Sequence, residues 1–257
     1  MKRVLVIVMA FVLIMNSAIA RSSSRSGKLN LDSGITVGAY QGMVEEHLSG
    51  ILHTAHVIAS SPEAASGNWT RVRPMLERFS ADLATDATVW YALPDGSYYT
   101  TESGTLSGQN IRDRSYFPSL TAGRDVLGEL VISKSTGYRS IIVASPVMSG
   151  GKMVAAVGIS VRVDLLSKMV DTALNMPEGV YFYALTPDTR IALHRYADRM
   201  FRTVGDVGDE RLGNDFRAVM NRNLGELDYS LDGKRISSIF RRSPILGWYF
   251  FIARQQN

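Results

Sequence analysis

The sequence predicts an α+β fold in which a long N-terminal helix is followed by two modules, each built on an antiparallel sheet. Three observations support this prediction. Apolar residues recur at helical spacing over residues 37–58, and β-prone segments bounded by turn residues follow from residue 88. The plan of strand, turn, strand, helical insert and three strands then occurs twice.

Composition and charge exclude several classes of protein. The chain has 257 residues, of which 46% are hydrophobic and 20% are charged, as is typical of a globular protein with a sizeable core. The net charge of +4 is too small to indicate a nucleic-acid partner. Cysteine is absent, which excludes a disulfide framework, a thiol nucleophile and a cysteine-ligated metal site.

The sequence gives no indication of catalysis, and we predict no enzyme, no catalytic residues and no cofactor. None of the common nucleotide-binding, serine-hydrolase or zinc-protease motifs occurs. His53 and His56 share a face of the predicted helix, but no third ligand falls at the spacing of a known metal site. We therefore also predict no metal.

The first 20 residues predict export. Lys2 and Arg3 precede an unbroken apolar run over residues 4–15, and a small-x-small cleavage pattern ends at Ala20. We expect a signal peptide over residues 1–20 and a periplasmic or secreted mature protein. The alternative is an uncleaved anchor in the inner membrane, because the apolar segment approaches the ~20 residues that span a bilayer.

A Ser-rich, basic leader over residues 21–31 is expected to be flexible, and two helices are predicted within residues 32–85. The apolar stripe of the first helix consists of Val37, Tyr40, Val44, Leu48, Ile51, Ala55 and Ile58. A Ser-Ser-Pro sequence ending at Pro62 stops this helix, and Ser-Gly-Asn ending at Asn68 opens the second.

The first sheet module is predicted over residues 86–175. It begins with a hairpin around the Pro94-Asp95-Gly96 turn, and a polar loop over residues 103–115 follows. Three further strands, separated by glycine-containing turns, are expected at 130–133, 140–144 and 153–159. A helix over residues 163–174 ends the module.

The second module, predicted over residues 176–257, repeats this plan in shorter form. Its hairpin strands are expected at 180–185 and 191–194, and a polar, partly helical insert follows over residues 198–223. Three closing strands are expected at 227–229, 235–240 and 248–252.

Five motifs follow one another in the first module. They are Trp90-Tyr91-x-x-Pro94-Asp95-Gly96, Arg112-Asp113-Arg114-Ser115-Tyr116-Phe117, Val131-Ile132-Ser133-Lys134-Ser135-Thr136-Gly137, Ala144-Ser145-Pro146-Val147 and Ala155-Ala156-Val157-Gly158-Ile159. Their order resembles the membrane-distal module of double Cache (dCache) sensor domains, the PAS-like extracellular domains of bacterial chemoreceptors and histidine kinases. The second module resembles the membrane-proximal one, so the resemblance covers residues 32–254.

The resemblance implies two PAS-like modules and a small-molecule site in the distal one, between its sheet and the loop with the R-x-Y motif. Carried over to this sequence, Arg114 and Tyr116 are the ligand-contacting positions. A guanidinium can bind a carboxylate with two hydrogen bonds, and a tyrosine adds a hydroxyl donor and an aromatic wall. We also expect Lys134 and Arg112 to add positive charge. The residues expected at the pocket floor are Trp90, Tyr91 and Tyr99.

Two departures from the family pattern bear on the ligand. Amino-acid-binding members typically have Arg-x-Trp-Tyr, where this chain has Arg114-Ser115-Tyr116-Phe117, and an Asp on the last distal strand that holds the ammonium group, where this chain has Ser160. Without that carboxylate, an amine has no obvious counter-charge. We therefore predict a C2 to C4 mono- or dicarboxylic acid. The alternatives are an amino acid or amine, and a degenerate pocket in a ligand-independent interaction or regulatory protein.

The resemblance also bears on partners. Family sensors usually continue into a transmembrane helix and an output domain, whereas this chain stops at Asn257. We expect a free-standing dCache protein that reports its bound state to a membrane histidine kinase, chemoreceptor or transporter. The resemblance further implies a homodimer through the N-terminal helix.

Overall fold

The computed structural model describes residues 32–256 of the chain. The predicted signal peptide, residues 1–20, and the predicted leader, residues 21–31, lie outside the described residues.

The N-terminal part consists of helices α1 (Ser33–Ala59), α2 (Pro62–Ala65) and α3 (Trp69–Asp82). Every residue of the predicted α1 stripe is buried, which confirms that the stripe is the packing face. The Asn68 side chain caps α3 by accepting a hydrogen bond from the Thr70 amide at 2.9 Å. Among the described residues, no helix is long and apolar enough to cross a membrane.

The first sheet has six strands in the order β3-β2-β1-β6-β5-β4, and all neighbours are antiparallel. The strands are β1 (Ala87–Ala92), β2 (Ser97–Thr100), β3 (Leu106–Asn110), β4 (Val126–Ile132), β5 (Arg139–Ser149) and β6 (Lys152–Arg162). A short helix, α4 (Phe117–Thr121), precedes β4, and α5 (Val163–Leu174) follows β6 with the bounds that the sequence predicts.

Strand β3 is a correction to the predicted loop over residues 103–115. Its sequence, LSGQN, is polar and carries a glycine, so it lacks the alternation that marks a strand. It forms because it pairs with the open edge of β2, with Ser97 opposite Asn110 and Tyr99 opposite Leu106.

The second sheet has five strands in the order β8-β7-β11-β10-β9, again antiparallel. The strands are β7 (Val180–Leu185), β8 (Ile191–His194), β9 (Leu224–Leu231), β10 (Lys234–Arg242) and β11 (Tyr249–Gln255). A 3-10 turn (Ala197–Arg199), α6 (Val204–Val207) and α7 (Glu210–Val219) connect β8 to β9. Apart from the edge strand β3, the strand order is the same in both sheets, which confirms the repeated plan and the predicted α+β fold.

Helix α1 packs against both sheets. Near its N-terminus, the Tyr40 ring lies 5.1 Å from that of Phe182 and 5.0 Å from that of Phe250, both in the second sheet. The same helix also packs on β5 and β6 of the first sheet. Its buried residues therefore join the two modules in one continuous apolar core.

We expect two tyrosine-to-phenylalanine substitutions in this core to have opposite effects. The Tyr40 hydroxyl is buried and has no hydrogen-bond partner in the part of the chain that the structure describes, so Tyr40→Phe should raise the free energy of unfolding by about 1 kcal/mol. The Tyr91 hydroxyl donates to the Ala64 carbonyl at 2.5 Å, so Tyr91→Phe should lower it by about 1 kcal/mol.

Urea unfolding of the two variants and of the unsubstituted protein measures both changes in unfolding free energy. Each variant serves as the control for the other, because both lose one tyrosine hydroxyl. Destabilisation by Tyr40→Phe would show that its hydroxyl makes a bond that this structure lacks.

Candidate functional site

The two faces of the first sheet have different coverings. Side chains alternate along a strand, so Val89 and Tyr91 of β1 face the helices while Trp90 and Ala92 face the opposite side. The opposite face is covered by the segment between β3 and β4, which includes α4. The apolar residues there form a second, separate core with Trp90 in it.

A small cavity lies in this second core. The cavity volume is about 20 Å³, which is room for one water molecule. Its lining combines cationic, hydroxyl, aromatic and aliphatic side chains: Arg114, Lys134, Thr88, Ser133, Ser135, Ser160, Trp90, Tyr98, Tyr116, Ile111, Val131 and Ile142. No carboxylate belongs to this lining.

The floor of the cavity depends on a glycine, Gly158, which leaves space for the Trp90 ring. Trp90 lies opposite Gly158 of β6, and a Cβ atom at Gly158 would lie only 2.0 Å from Cζ2 of the indole. The glycine lets the ring lie flat across the sheet, where its Nε1 donates to Ser160 Oγ at 3.2 Å. Gly158 therefore shapes the site, a role that its place in the fifth sequence motif did not predict.

The two cations of the cavity have different partners. The Arg114 guanidinium donates from Nη2 to the Ile132 carbonyl at 2.7 Å. Lys134 Nζ donates to the Asn110 carbonyl at 2.7 Å and to Asp113 Oδ1 at 2.5 Å. The lysine holds the pKa of Asp113 below its usual range. Arg114, in contrast, forms no salt bridge between residues 32 and 256.

The aromatic side chains supply neutral hydroxyl groups. Tyr116 is 5% exposed and its ring lies 6.5 Å from that of Trp90. Burial raises the pKa of Tyr116, so its hydroxyl keeps its proton at any physiological pH and remains a donor. Tyr98, which the sequence analysis missed, is equally buried and lines the same cavity.

The structure thus brings five of the predicted site residues into one cavity, namely Arg114, Tyr116, Lys134, Trp90 and Ser160. It does not bring in the others. Tyr91 points to the helices, and Tyr99 stacks on Trp69 at 4.9 Å, with the two rings 7° from parallel. The predicted pocket floor is therefore corrected: Tyr98 lies there, and Tyr91 and Tyr99 do not, because neighbouring residues of a strand face opposite sides.

Arg112 also lies outside the cavity lining. It is exposed on the loop before Arg114, and its backbone amide donates to Asn110 Oδ1 at 2.7 Å. Hydrogen bonds from Ser97 hold the pKa of the Asp95 carboxyl below its usual range, and the charge of Arg112 adds a smaller lowering.

A serine, a histidine and an aspartate meet outside this cavity. Ser145 Oγ donates to Asp125 Oδ1 at 2.8 Å and lies 3.2 Å from His56 Nδ1. The serine hydroxyl donates its proton to the carboxylate and not to the histidine, which is not the arrangement of a serine activated by a histidine base. The serine is also fully buried. The cluster ties α1 to β5, and no group of three metal-ligating side chains occurs among the described residues.

Comparison with known proteins finds similarity in structure only. No protein-family profile matches the sequence, and no curated protein matches it. The ligand-binding domain of the Pseudomonas aeruginosa PAO1 amino acid chemoreceptor PctB, in complex with L-Arg, superimposes with a TM-score of 0.66 at 20% identity. That match covers 87% of this chain and 92% of the other.

Two further structures have the same architecture. The ligand-binding domain of the Pseudomonas fluorescens chemoreceptor CtaA, in complex with L-isoleucine, has a TM-score of 0.64 at 17% identity over 87% of this chain and 89% of that one. The V. cholerae histidine kinase DctB sensor domain has a TM-score of 0.66 at 13% identity over 87% and 96%. At these identities the likeness establishes the fold, and the predicted double Cache architecture is confirmed.

We expect Gly158→Ala to disrupt the cavity floor. The added methyl group would displace the Trp90 indole and break its bond to Ser160, and such overpacking costs about 1–3 kcal/mol of unfolding free energy. Urea unfolding and near-ultraviolet circular dichroism would report the change. Gly108→Ala is the matched control, because a Cβ there meets no atom within 4 Å. Equal stability and equal aromatic spectra in the two variants would contradict this role of Gly158.

Proposed function

We propose, from the double Cache fold of this chain, that it is an extracellular or periplasmic sensor that binds a small carboxylate in the cavity of its first sheet module. One observation carries the proposal: two cationic side chains, Arg114 and Lys134, line an otherwise hydroxyl and apolar cavity that no carboxylate lines.

The chemistry of the lining suits a carboxylate with a short apolar tail. Within residues 32–256, one of the five N–H groups of the Arg114 guanidinium is engaged, by the Ile132 carbonyl, and the others can bind two carboxylate oxygens. The Tyr116 hydroxyl supplies a further donor. Val131 and Ile142 form apolar walls that accommodate a tail of few carbons.

An ammonium group finds no comparable partner. The carboxylates around the cavity already have partners: Glu102 accepts from the Thr88 hydroxyl at 2.8 Å, Glu129 accepts from the Ser115 hydroxyl at 2.6 Å, and Asp113 pairs with Lys134. A charge buried without a partner is costly, so an amino acid should bind less well than the acid that lacks its amino group. PctB and CtaA bind amino acids, and the amino-acid alternative is therefore the first one to test.

Ligand entry requires a rearrangement, because the cavity has room for one water molecule only. A carboxylate that binds the remaining N–H groups of Arg114 would displace the loop that carries Tyr116. A ligand that binds this open arrangement better shifts the population toward it. We propose that a membrane histidine kinase, chemoreceptor or transporter reads this shift, by analogy with the sensor domains of similar fold.

The predicted location and dimer are part of this proposal. A sensor of this fold would act in the periplasm or as a secreted protein. Helix α1 leaves Ile35 and Val57 more than half exposed, which suits pairing of the N-terminal helix with a second copy.

The same contacts support a second candidate, a ligand-independent interaction protein. Arg114 is bound to the Ile132 carbonyl, and Lys134 is bound to the Asn110 carbonyl and Asp113, as a degenerate pocket requires. The small cavity volume points the same way. Binding measurements separate the two candidates.

Two pairs of ligands that differ in one group test the class of ligand. Propionate and L-alanine, and succinate and L-aspartate, differ only in the ammonium group. Isothermal titration calorimetry should show tighter binding of the acid in at least one pair. Tighter binding of both amino acids would establish the amino-acid alternative, and no heat from any of the four would favour the interaction protein.

Arg114→Ala tests the position of the site. Loss of a bidentate charge-assisted pair should weaken binding of the preferred acid at least about 100-fold. Arg112→Ala is the matched control, since it removes an arginine from the same loop but outside the cavity lining. Equal affinities of the two variants, both with unchanged thermal stability, would remove Arg114 from the site.

A further inference from the structure

A second cavity lies in the other module, between the face of the second sheet that carries Tyr181 and Tyr183 and the segment that contains α6 and α7. The cavity volume is about 30 Å³, which is enough for one or two water molecules. Most of its wall is aliphatic or aromatic, and its polar groups gather at one end.

Three tyrosine hydroxyls form part of this polar end. Tyr229 lies between Tyr181 and Tyr183, with its oxygen 3.2 Å from each of theirs. Burial raises the pKa of all three hydroxyls, so they stay protonated and neutral.

His194 contributes a ring N–H donor. Its ring is 3% exposed and is stacked against Tyr181 and Tyr183, with centroids 5.6 and 5.8 Å apart. Nδ1 accepts the Tyr196 amide at 2.8 Å, so the ring proton resides on Nε2. Within the described range, that N–H makes no hydrogen bond. Burial lowers the pKa of His194 to about 3, and the ring is therefore a neutral donor.

Arg199 adds the positive charge. It lines the cavity and also an open groove of about 290 Å³ on the outside, so it stands between the two. Its side chain is 20% exposed, and its Nη2 donates at 3.4 Å to Oδ2 of Asp232, a carboxylate whose side chain is 69% exposed. No carboxylate lines the inner cavity. The cavity by itself is too small for a carboxylate with an alkyl tail. Outward rotation of Arg199 would join it to the groove and so provide both the room and a path for an anion.

We propose that this cavity is a second ligand site, which takes a small monocarboxylate with a short alkyl tail. The carboxylate would lie between Arg199 and the Nε2–H of His194, and the tail would pack among Val204, Leu212 and Phe216. A second carboxylate on the ligand would be buried among apolar groups without a partner, which disfavours dicarboxylates. The proposal goes beyond the function of the first module and does not depend on it.

The test uses the full chain with Arg114→Ala as background, so that any carboxylate site in the first module is silent. Butyrate is titrated by calorimetry into this background and into the same background with Arg199→Gln. Binding should persist in the first and weaken at least tenfold in the second. Arg254→Gln is the control, since it removes an exposed arginine of the same module that does not line the cavity.

Histidine NMR then locates the binding. In protein labelled with 15N at histidine, the Nε2–H resonance of His194 is identified by its absence in His194→Asn, a variant whose Oδ1 can still accept the Tyr196 amide. Butyrate should shift this resonance in the Arg114→Ala background. Melting temperatures of all variants show whether they remain folded.

Two results would overturn the proposal: an affinity for butyrate that Arg199→Gln leaves unchanged, or a His194 resonance that does not move at saturating butyrate. Absence of butyrate binding in the Arg114→Ala background would also overturn it, while carboxylate binding by the unsubstituted protein would leave the function proposed for the first module standing. If butyrate binds at His194 and Arg114→Ala changes no carboxylate affinity, the second site stands and the function proposed for the first module does not.

Discussion

The packing of one helix stripe against two sheets is the constraint on which the rest of the structure depends. Helix α1 places Tyr40 between Phe182 and Phe250 of the second sheet and packs along β5 and β6 of the first. Since apolar burial is the main favourable term in folding, this shared face holds both modules to one helix. It also occupies one face of each sheet, which leaves only the other face for a cavity.

The two cavities are consequences of this arrangement. In the first module, Tyr91 of β1 faces the helices and Trp90 faces the cavity. In the second, Phe182 of β7 contacts Tyr40 of α1, while its neighbours Tyr181 and Tyr183 line the cavity. Because the strand order is the same in the two sheets, the two cavities lie at equivalent positions in their modules. Each cavity is closed by a polar connection that contributes an arginine, and no carboxylate belongs to either lining.

Much of the fold could be predicted because its signals are local. The α1 stripe, the hairpin around Pro94-Asp95-Gly96 and the helix over residues 163–174 each follow from spacing and turn chemistry within a few residues. Strand β3 could not be predicted, since its polar sequence becomes a strand only through pairing with β2. The candidate site shows the same division: a motif identified Arg114, whereas Tyr98 was missed in favour of its neighbour Tyr99.

The sequence by itself determined the order of the elements, the buried face of α1 and the presence of cations in a loop beside the first sheet. Only the tertiary structure decided which aromatic residues meet those cations, that Lys134 pairs with Asp113, that Trp90 lies over Gly158 and that His194 lines a second cavity with its Nδ1 bound to the Tyr196 amide. The physical reason is that periodicity is set by adjacent residues. The face of a strand and the partner of a charge are set by cross-strand register and by packing between segments far apart in the chain.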